Sequence, residues 1–104
     1  MRYERLLHRE PDDLDVRLKL AVSYALGGVL DKAEGHGAAI LAKDPKHLGA
    51  LLLMGQLSAR QGRWQAALGY YERAVAVDRS NATAQLGLGN VLMNLGDEEG
   101  ATAA

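Results

Sequence analysis

The sequence has no cysteine and no phenylalanine, and it contains one tryptophan and two prolines among 104 residues. Without cysteine, the chain forms no disulfide and holds no metal through thiolates. Leucine and alanine supply most of the hydrophobic content, and both residues favour helices, whereas strands favour β-branched and aromatic residues. Because 48% of the residues are hydrophobic, the composition predicts a folded, all-helical domain instead of a disordered chain.

The sequence also lacks an excess of charge of either sign. Its 12 basic and 13 acidic residues are interleaved along the whole length, and a nucleic-acid-binding protein would show a basic stripe. The locally basic stretch 2–9 is interrupted by Glu4 and is typical of a solvated helix face. No hydrophobic run approaches the roughly 20 residues of a membrane span, and the charged first ten residues do not resemble a signal peptide. We therefore expect no nucleic-acid partner and no membrane insertion.

Patterns of catalytic or cofactor-binding residues are missing as well. His8, His36 and His47 are far apart and form no pair with the spacing of metal ligands. Gly87 and Gly89 lack the third glycine and the preceding strand of a dinucleotide-binding motif. No serine lies in a nucleophile motif. The sequence thus predicts no enzyme activity, no metal and no cofactor, and Trp64 is interpreted as helix packing, with ligand contact as the alternative.

What the sequence does contain is a repeat of 34 residues, visible as columns of similar residues in phase. One column consists of glycines, one of alanines, two of leucine or methionine, one of small residues and one of acidic residues. The columns are Gly28, Gly62 and Gly96; Ala33, Ala67 and Ala101; Leu20, Met54 and Leu88; Leu18, Leu52 and Leu86; Ala21, Gly55 and Gly89; and Glu10, Asp44 and Asp78.

Each column has a physical explanation in a repeated pair of helices. The small residues let two helices approach closely, and the glycines suit the left-handed conformation at a helix end. Pro11 and Pro45 follow helix ends, and Asp13, Asp31 and Asn81 are candidate N-caps. The apolar spacing predicts helices over residues 2–9, 13–27, 30–43, 47–61, 64–77, 81–95 and 97–103.

These residues resemble the tetratricopeptide repeat, whose motif is Trp-x2-Leu-Gly-x2-Tyr followed by Ala, an aromatic residue and Pro. The first unit reads Arg17-x2-Leu20-Ala21-x2-Tyr24, then Ala33 and Pro45. The second reads Leu51-x2-Met54-Gly55-x2-Ser58, then Ala67, Tyr71 and Arg79. The third opens Gln85-x2-Leu88-Gly89-x2-Leu92 and continues to Ala101. Tyr3 and Pro11 match the tail of a preceding unit.

The resemblance implies an α-solenoid of stacked antiparallel helix pairs that form a right-handed superhelix. The expected units are residues 1–11, 12–45, 46–79 and 80–104. Gly37 stands where the second helix of the motif carries an aromatic residue, and Gly35 precedes it by two positions. Because glycine costs a helix about 1 kcal/mol relative to alanine, this helix is predicted to be the loosest.

The resemblance also implies that the first helix of each pair lines a concave groove. The predicted groove is neutral and partly apolar, with Arg60 as its main charge, and it suits an apolar or amphipathic protein segment. Where one branch of the family grips a carboxylate with lysine and asparagine, this chain has Leu18, Val22 and Leu53. The residues predicted to face a partner are Leu18, Val22, Leu26, Leu52, Gln56, Arg60, Leu86, Asn90 and Asn94.

Two functions remain open from the sequence. The first is a protein-binding module of a larger assembly or adaptor protein, in which Leu52→Arg would weaken partner binding and leave the helices intact. Alternatively, Leu18, Leu52 and Leu86 are ordinary core residues. The second function is a scaffold that associates with itself through uncapped ends, with Leu6 and Leu7 at one end and Leu88, Leu92 and Leu95 at the other.

Overall fold

The computed structural model describes the backbone of residues 13–103 and the side chains of residues 13–96, and the predicted helix 2–9 lies outside these residues. Within this range the chain forms five helices and no strands. The helices are α1 Leu14–Leu26, α2 Leu30–Lys43, α3 Leu48–Arg60, α4 Trp64–Val77 and α5 Ala82–Ala103. The first four helices form two successive pairs, α1 with α2 and α3 with α4, and α5 packs on the second pair.

A polar side chain caps the start of α1, α3 and α5 at positions 34 residues apart. Asp13 accepts hydrogen bonds from the amides of Asp15 and Val16, and Asn81 Oδ1 accepts one from the amide of Ala84 at 2.9 Å. Both caps confirm the prediction. His47 is the third member of this column, since its Nδ1 accepts from the amide of Ala50 at 3.1 Å. The sequence prediction missed His47 because histidine is not among the common N-cap residues.

The other two helices, α2 and α4, begin differently. Their N-caps are Val29 and Arg63, and neither side chain makes a capping hydrogen bond. The prediction that Asp31 caps a helix is wrong, because α2 has already begun at Leu30 and Asp31 lies in its first turn. There its carboxylate interacts favourably with the positive end of the helix dipole.

Glycine closes both tight turns within the helix pairs. Gly28 and Gly62 have φ values of 81° and 75°, the left-handed region that glycine enters without steric cost. The residue after each glycine returns its amide to the preceding helix, from Val29 to the Tyr24 carbonyl at 2.8 Å and from Arg63 to the Ser58 carbonyl at 2.9 Å. This pair of identical caps confirms the predicted role of the glycine column at its first two positions.

Gly96 does not repeat this turn, and the predicted helix end at residue 95 is wrong. Helix α5 runs through Gly96 to Ala103. In the earlier pair, Trp64 follows the turn by two residues and anchors the returning helix to a buried cluster. Glu98 stands at the matching position after Gly96. The chain therefore has no large apolar side chain there that would favour a turn and a second helix packed on α5.

The hydrophobic core runs along the stack as three clusters of buried side chains. Helix α3 lies at its centre, packs against α4 and α2, and also contacts both α1 and α5. Burying a leucine side chain contributes about 1.5–3 kcal/mol each, so this helix, with the most buried positions, holds the stack together. The buried hydrophobic residues are Leu20, Ala21, Ala25, Ala33, Ile40, Ala50, Leu51, Leu53, Met54, Leu57, Ala67, Tyr71, Ala74, Ala84 and Val91.

Successive helix pairs pack closely at two equivalent places, and at each place a glycine faces a large side chain. At the first place the glycine is on the second helix of a pair, and at the second place it is on the first helix of the next pair. Between α2 and α3, a Cβ added to Gly37 would lie 2.6 Å from Met54 Sδ and 3.9 Å from Leu53 Cδ2. Between α4 and α5, a Cβ added to Gly87 would lie only 2.3 Å from the ring of Tyr71. Gly37 aligns with Tyr71, and Leu53 aligns with Gly87, at the spacing of 34 residues.

Tyr71 is the large residue of the second interface and is buried between α3 and α5. Its ring would also lie 2.9 Å from a Cβ on Gly55, so two glycines make room for one aromatic side chain. Burial raises the pKa of the Tyr71 phenol above its ordinary value of 10.0, because the phenolate would lose hydration. Gly37 occupies the aligned position in the first interface. It is therefore a position where two helices pack closely, and not merely one that lacks an aromatic residue.

Candidate functional site

The candidate site is the face formed by the first helix of each pair. Helix α3 contacts both α1 and α5, whereas α1 and α5 do not touch each other, so α3 lies between the two. The predicted groove residues on this face divide by exposure. Leu18, Leu52 and Asn94 are half-buried, whereas Val22, Leu26, Gln56, Arg60, Leu86 and Asn90 are exposed. Met93, on the same helix as Asn90, is exposed as well.

The half-buried leucines belong mainly to the packing between helices. Leu18 packs against the first core cluster, and its Cδ2 lies close to Gly49, where an added Cβ would approach it to 2.6 Å. Leu52 packs against the two later clusters. An arginine at position 52 would therefore disturb the core as well as the groove, so Leu52 is a poor place to test binding.

Exposed apolar side chains stand on the two outer helices of this face. Leu26 of α1 is 83% exposed, and Leu86 and Met93 of α5 are 67% and 70% exposed. Val22 lies one turn before Leu26 and is also exposed. Single exposed leucines are common on protein surfaces, but these four lie on the helices that the repeat pattern assigns to one groove. They place exposed apolar side chains on both of the helices that contact α3.

Polar side chains occupy the middle and the edge of the face. Arg60 Nη1 donates to the carbonyl of Ala25 at 3.2 Å, which links the ends of α3 and α1 and holds the guanidinium in place. Asn94 Nδ2 donates to the carbonyl of Asn90 at 2.8 Å. Together with Gln56, these groups leave polar atoms and one positive charge on this face.

Two other sequence interpretations have a structural outcome on the described residues. Leu53 is buried and thus cannot replace the lysine or asparagine of a carboxylate clamp. Trp64 is half-buried and packs against the cluster of Ala67, Tyr71 and Val91, which supports helix packing as its role.

No grouping of metal-ligating residues and no membrane-spanning helix is found in the described part of the chain. Among these residues, no group of three or more histidines and carboxylates is arranged to hold a metal ion. None of the helices in residues 13–103 is long and apolar enough to cross a membrane.

Of the predicted uncapped end, Leu92 lies on the outer face of α5, whereas Leu88 and Leu95 are half-buried and pack against the cluster of Ala67, Tyr71 and Val91. Leu6 and Leu7 of the other predicted end lie outside the described residues. Leu92 is 52% exposed on this face, and nothing lies within 4 Å of a Cβ added to Gly89. The equivalent residues of the second pair, Ser58 and Gly55, are buried, and a Cβ added to Gly55 would lie 2.9 Å from Tyr71 of α4. The outer face of α5 therefore presents, uncovered, the surface that receives a helix in the preceding pair.

The family model described as tetratricopeptide repeat matches residues 2–47 and 52–104. No curated protein matches the sequence. The chain is similar to the crystal structure of MamA, with 25% identity and a TM-score of 0.82 over 93% of this chain and 57% of that one. It is also similar to TTC0263, a thermophilic TPR protein in Thermus thermophilus, with 26% identity and a TM-score of 0.82. That match covers 97% of this chain and 58% of that one.

A third similar structure is the Sgt2 TPR domain from Aspergillus fumigatus, with a TM-score of 0.87 and 18% identity over 93% of this chain and 66% of that domain. At this identity the likeness shows the fold alone. Together the matches show an all-α helical repeat fold of the tetratricopeptide type. The chain spans a little over half the length of the MamA and TTC0263 chains.

Proposed function

Because the chain belongs to the tetratricopeptide repeat family, whose members are generally protein–protein interaction modules, we propose that it binds an apolar or amphipathic protein segment along α1, α3 and α5. The observation that carries this proposal is the exposure of Leu26, Leu86 and Met93 on the two outer helices. Burial of such side chains at an interface is favourable in proportion to the apolar area removed from water. The polar groups of α3 between them would fix the orientation of the bound segment.

The binding energy expected from each apolar anchor is large enough to be tested with single substitutions. Fully burying one leucine side chain contributes about 1.5–3 kcal/mol, which corresponds to roughly a tenfold or greater change in affinity. An arginine at the same position would remove that contribution and bring a charge that must be desolvated. Since Leu26 and Leu86 are largely exposed, neither change should disturb the core. The module would act as an adaptor within a larger assembly.

The test is an affinity capture from cell lysate with the wild-type chain and single-residue variants, followed by mass spectrometry. Leu26→Arg and Leu86→Arg should each lose the same captured protein. Leu92→Arg is the matched control, because residue 92 is six positions beyond Leu86 and points about 120° away around α5. Circular dichroism must show that all three variants keep their helices. If both groove variants capture the same proteins as the wild-type chain, and in the same amounts, the proposal is contradicted.

A second candidate function is self-association, and the uncovered outer face of α5 favours it. Gly89 and Leu92 present the surface that holds α4 in the preceding pair, so a helix from a second copy could pack there. Light scattering on the wild-type chain and on Leu92→Arg separates the two functions. Self-association through this face predicts an oligomer that Leu92→Arg reduces to a monomer, whereas a wild-type monomer at high concentration excludes it.

A further inference from the structure

A pocket lies outside the groove, at the turn between α2 and α3. It has a volume of about 480 Å³ and is lined by Pro45, Lys46, Arg73, Ala76 and Val77. Pockets of about 300–1,000 Å³ are the usual size for small ligands. The groove is built by α1, α3 and α5, whereas this pocket is built by the turn and the C-terminal part of α4. The pocket and the groove therefore have no residue in common.

The two basic side chains of the pocket, Lys46 and Arg73, belong to segments that are held by hydrogen bonds. Arg73 Nη2 donates to the carbonyl of Pro45 at 3.0 Å, and its guanidinium lies over the Tyr70 ring at 5.9 Å. The turn that carries Lys46 is closed by a hydrogen bond from the Lys46 amide to Asp44 Oδ1 at 3.2 Å. Arg73 is thus oriented at the pocket by two contacts and retains further N–H donors for a ligand.

The charge of the pocket is not neutralised by the side chains that line it. Among the described residues, neither Lys46 nor Arg73 forms an ion pair with a carboxylate. Of the acidic residues nearby in sequence, Asp44 accepts from the turn and Asp78 Oδ1 accepts from the Ser80 amide and hydroxyl. Glu72, next to Arg73, is exposed and does not line the pocket. Ala76, Val77 and Pro45 supply apolar walls, and Val77 is exposed.

From this arrangement we propose that the pocket binds a carboxylate carried on a small apolar group. The carboxylate lies between the Lys46 ammonium and the Arg73 guanidinium, and the apolar group packs on Ala76 and Val77. Hydrogen bonds between charged groups are about twice as strong as neutral ones, and the apolar walls distinguish such a ligand from inorganic anions. The same chemistry occurs in a free carboxylic acid and at the end of a peptide with an apolar last residue.

The test uses N-acetyl-leucine and its uncharged counterpart of equal size, N-acetyl-leucinamide, titrated into the full chain labelled with ¹⁵N. N-acetyl-leucine should cause saturable shifts of the Lys46, Arg73 and Val77 amide signals, and the amide should bind at least about tenfold more weakly. Arg73→Gln should lower the affinity for N-acetyl-leucine by a similar factor. Arg79→Gln is the matched control, because Arg79 is an exposed neighbour that does not line the pocket.

Three outcomes would overturn the proposal: no saturable shifts at these residues, equal binding of the acid and the amide, or equal losses in Arg73→Gln and Arg79→Gln. Lys46→Gln provides a second variant if Arg73→Gln does not fold. An acetylated peptide ending in leucine distinguishes the sources, since tighter binding than N-acetyl-leucine indicates a peptide end and equal binding a free acid. Leu86→Arg should leave this affinity unchanged, so the pocket and the groove are tested separately.

Discussion

The two interfaces between successive helix pairs solve the same packing problem with opposite residues. Where α2 meets α3, the small residue Gly37 is on the second helix and the large residues Leu53 and Met54 are on the next first helix. Where α4 meets α5, Tyr71 is the large residue and Gly87 is the small one. The comparison teaches that a repeat position is constrained together with its partner across the interface, and that neither position alone reveals the requirement.

The largest expected effect comes from removing the large residue of the second interface. Tyr71→Ala should lower the free energy of unfolding by about 3–5 kcal/mol, because it leaves a cavity between Gly55 and Gly87 that the backbone cannot readily fill. Urea unfolding followed by circular dichroism measures the loss. Tyr70→Ala serves as the control, since Tyr70 is only half-buried and should cost less. Equal losses in the two variants would show that Tyr71 has no special place in this interface.

A smaller effect is expected from enlarging the small residue, and it should differ between the interfaces. Gly87→Ala should destabilise the chain by about 1–3 kcal/mol, since its Cβ would strike the Tyr71 ring. Gly37→Ala should cost less, because Met54 is a flexible side chain that can move aside. Gly89→Ala, on the exposed face of α5, should stabilise by up to about 1 kcal/mol. The same urea unfolding assay compares the three.

The comparison is sharpened by a double substitution. If Gly87 is required because of Tyr71, then Gly87→Ala should cost little in a Tyr71→Ala background, and the two changes will be non-additive. Additive losses would mean that the two residues act independently, which would remove the basis of the comparison.

The smallest effect is a pH dependence confined to the second interface. The raised pKa of Tyr71 means that the unfolded chain releases this proton before the folded chain does. The stability from this group is therefore complete below pH 10.0, the ordinary value, and falls as the pH rises from there toward the folded pKa. Wild type should lose more stability than Tyr71→Phe in this range, as measured by urea unfolding. Tyr70→Phe is the control and should follow wild type.

The regular parts of this fold could be predicted from the sequence because their causes are local. Helices α2 and α4 have the predicted bounds, and the turns at Gly28 and Gly62 follow from a glycine that tolerates a left-handed conformation. The continuity of α5 through Gly96 was not predicted, because a glycine column marks where a chain can turn. Whether the chain does turn depends also on the residue two positions after the glycine. Trp64 is large and apolar and packs the returning helix, whereas Glu98 is charged.

The candidate site was less accessible to sequence reasoning. The repeat assigns Leu52 and Leu86 to one column, yet Leu52 is half-buried beneath neighbouring helices and Leu86 is largely exposed on the outer helix. Position in the stack therefore decides exposure, and a single unit does not contain that information. The pocket of Lys46 and Arg73 was missed for a similar reason, because its residues are about 30 positions apart and meet only through the stacking of α4 on the turn before α3.

The order of helix contacts has a consequence for how the chain folds. Among the five helices of residues 14–103, each touches only helices one or two places away in the sequence, and α1 makes no contact with α5. Such a topology has a low relative contact order, for which folding times on the order of microseconds to milliseconds are typical. On the ribosome, α1 and α2 can pair as soon as α2 has emerged, and each later helix finds its docking surface already assembled.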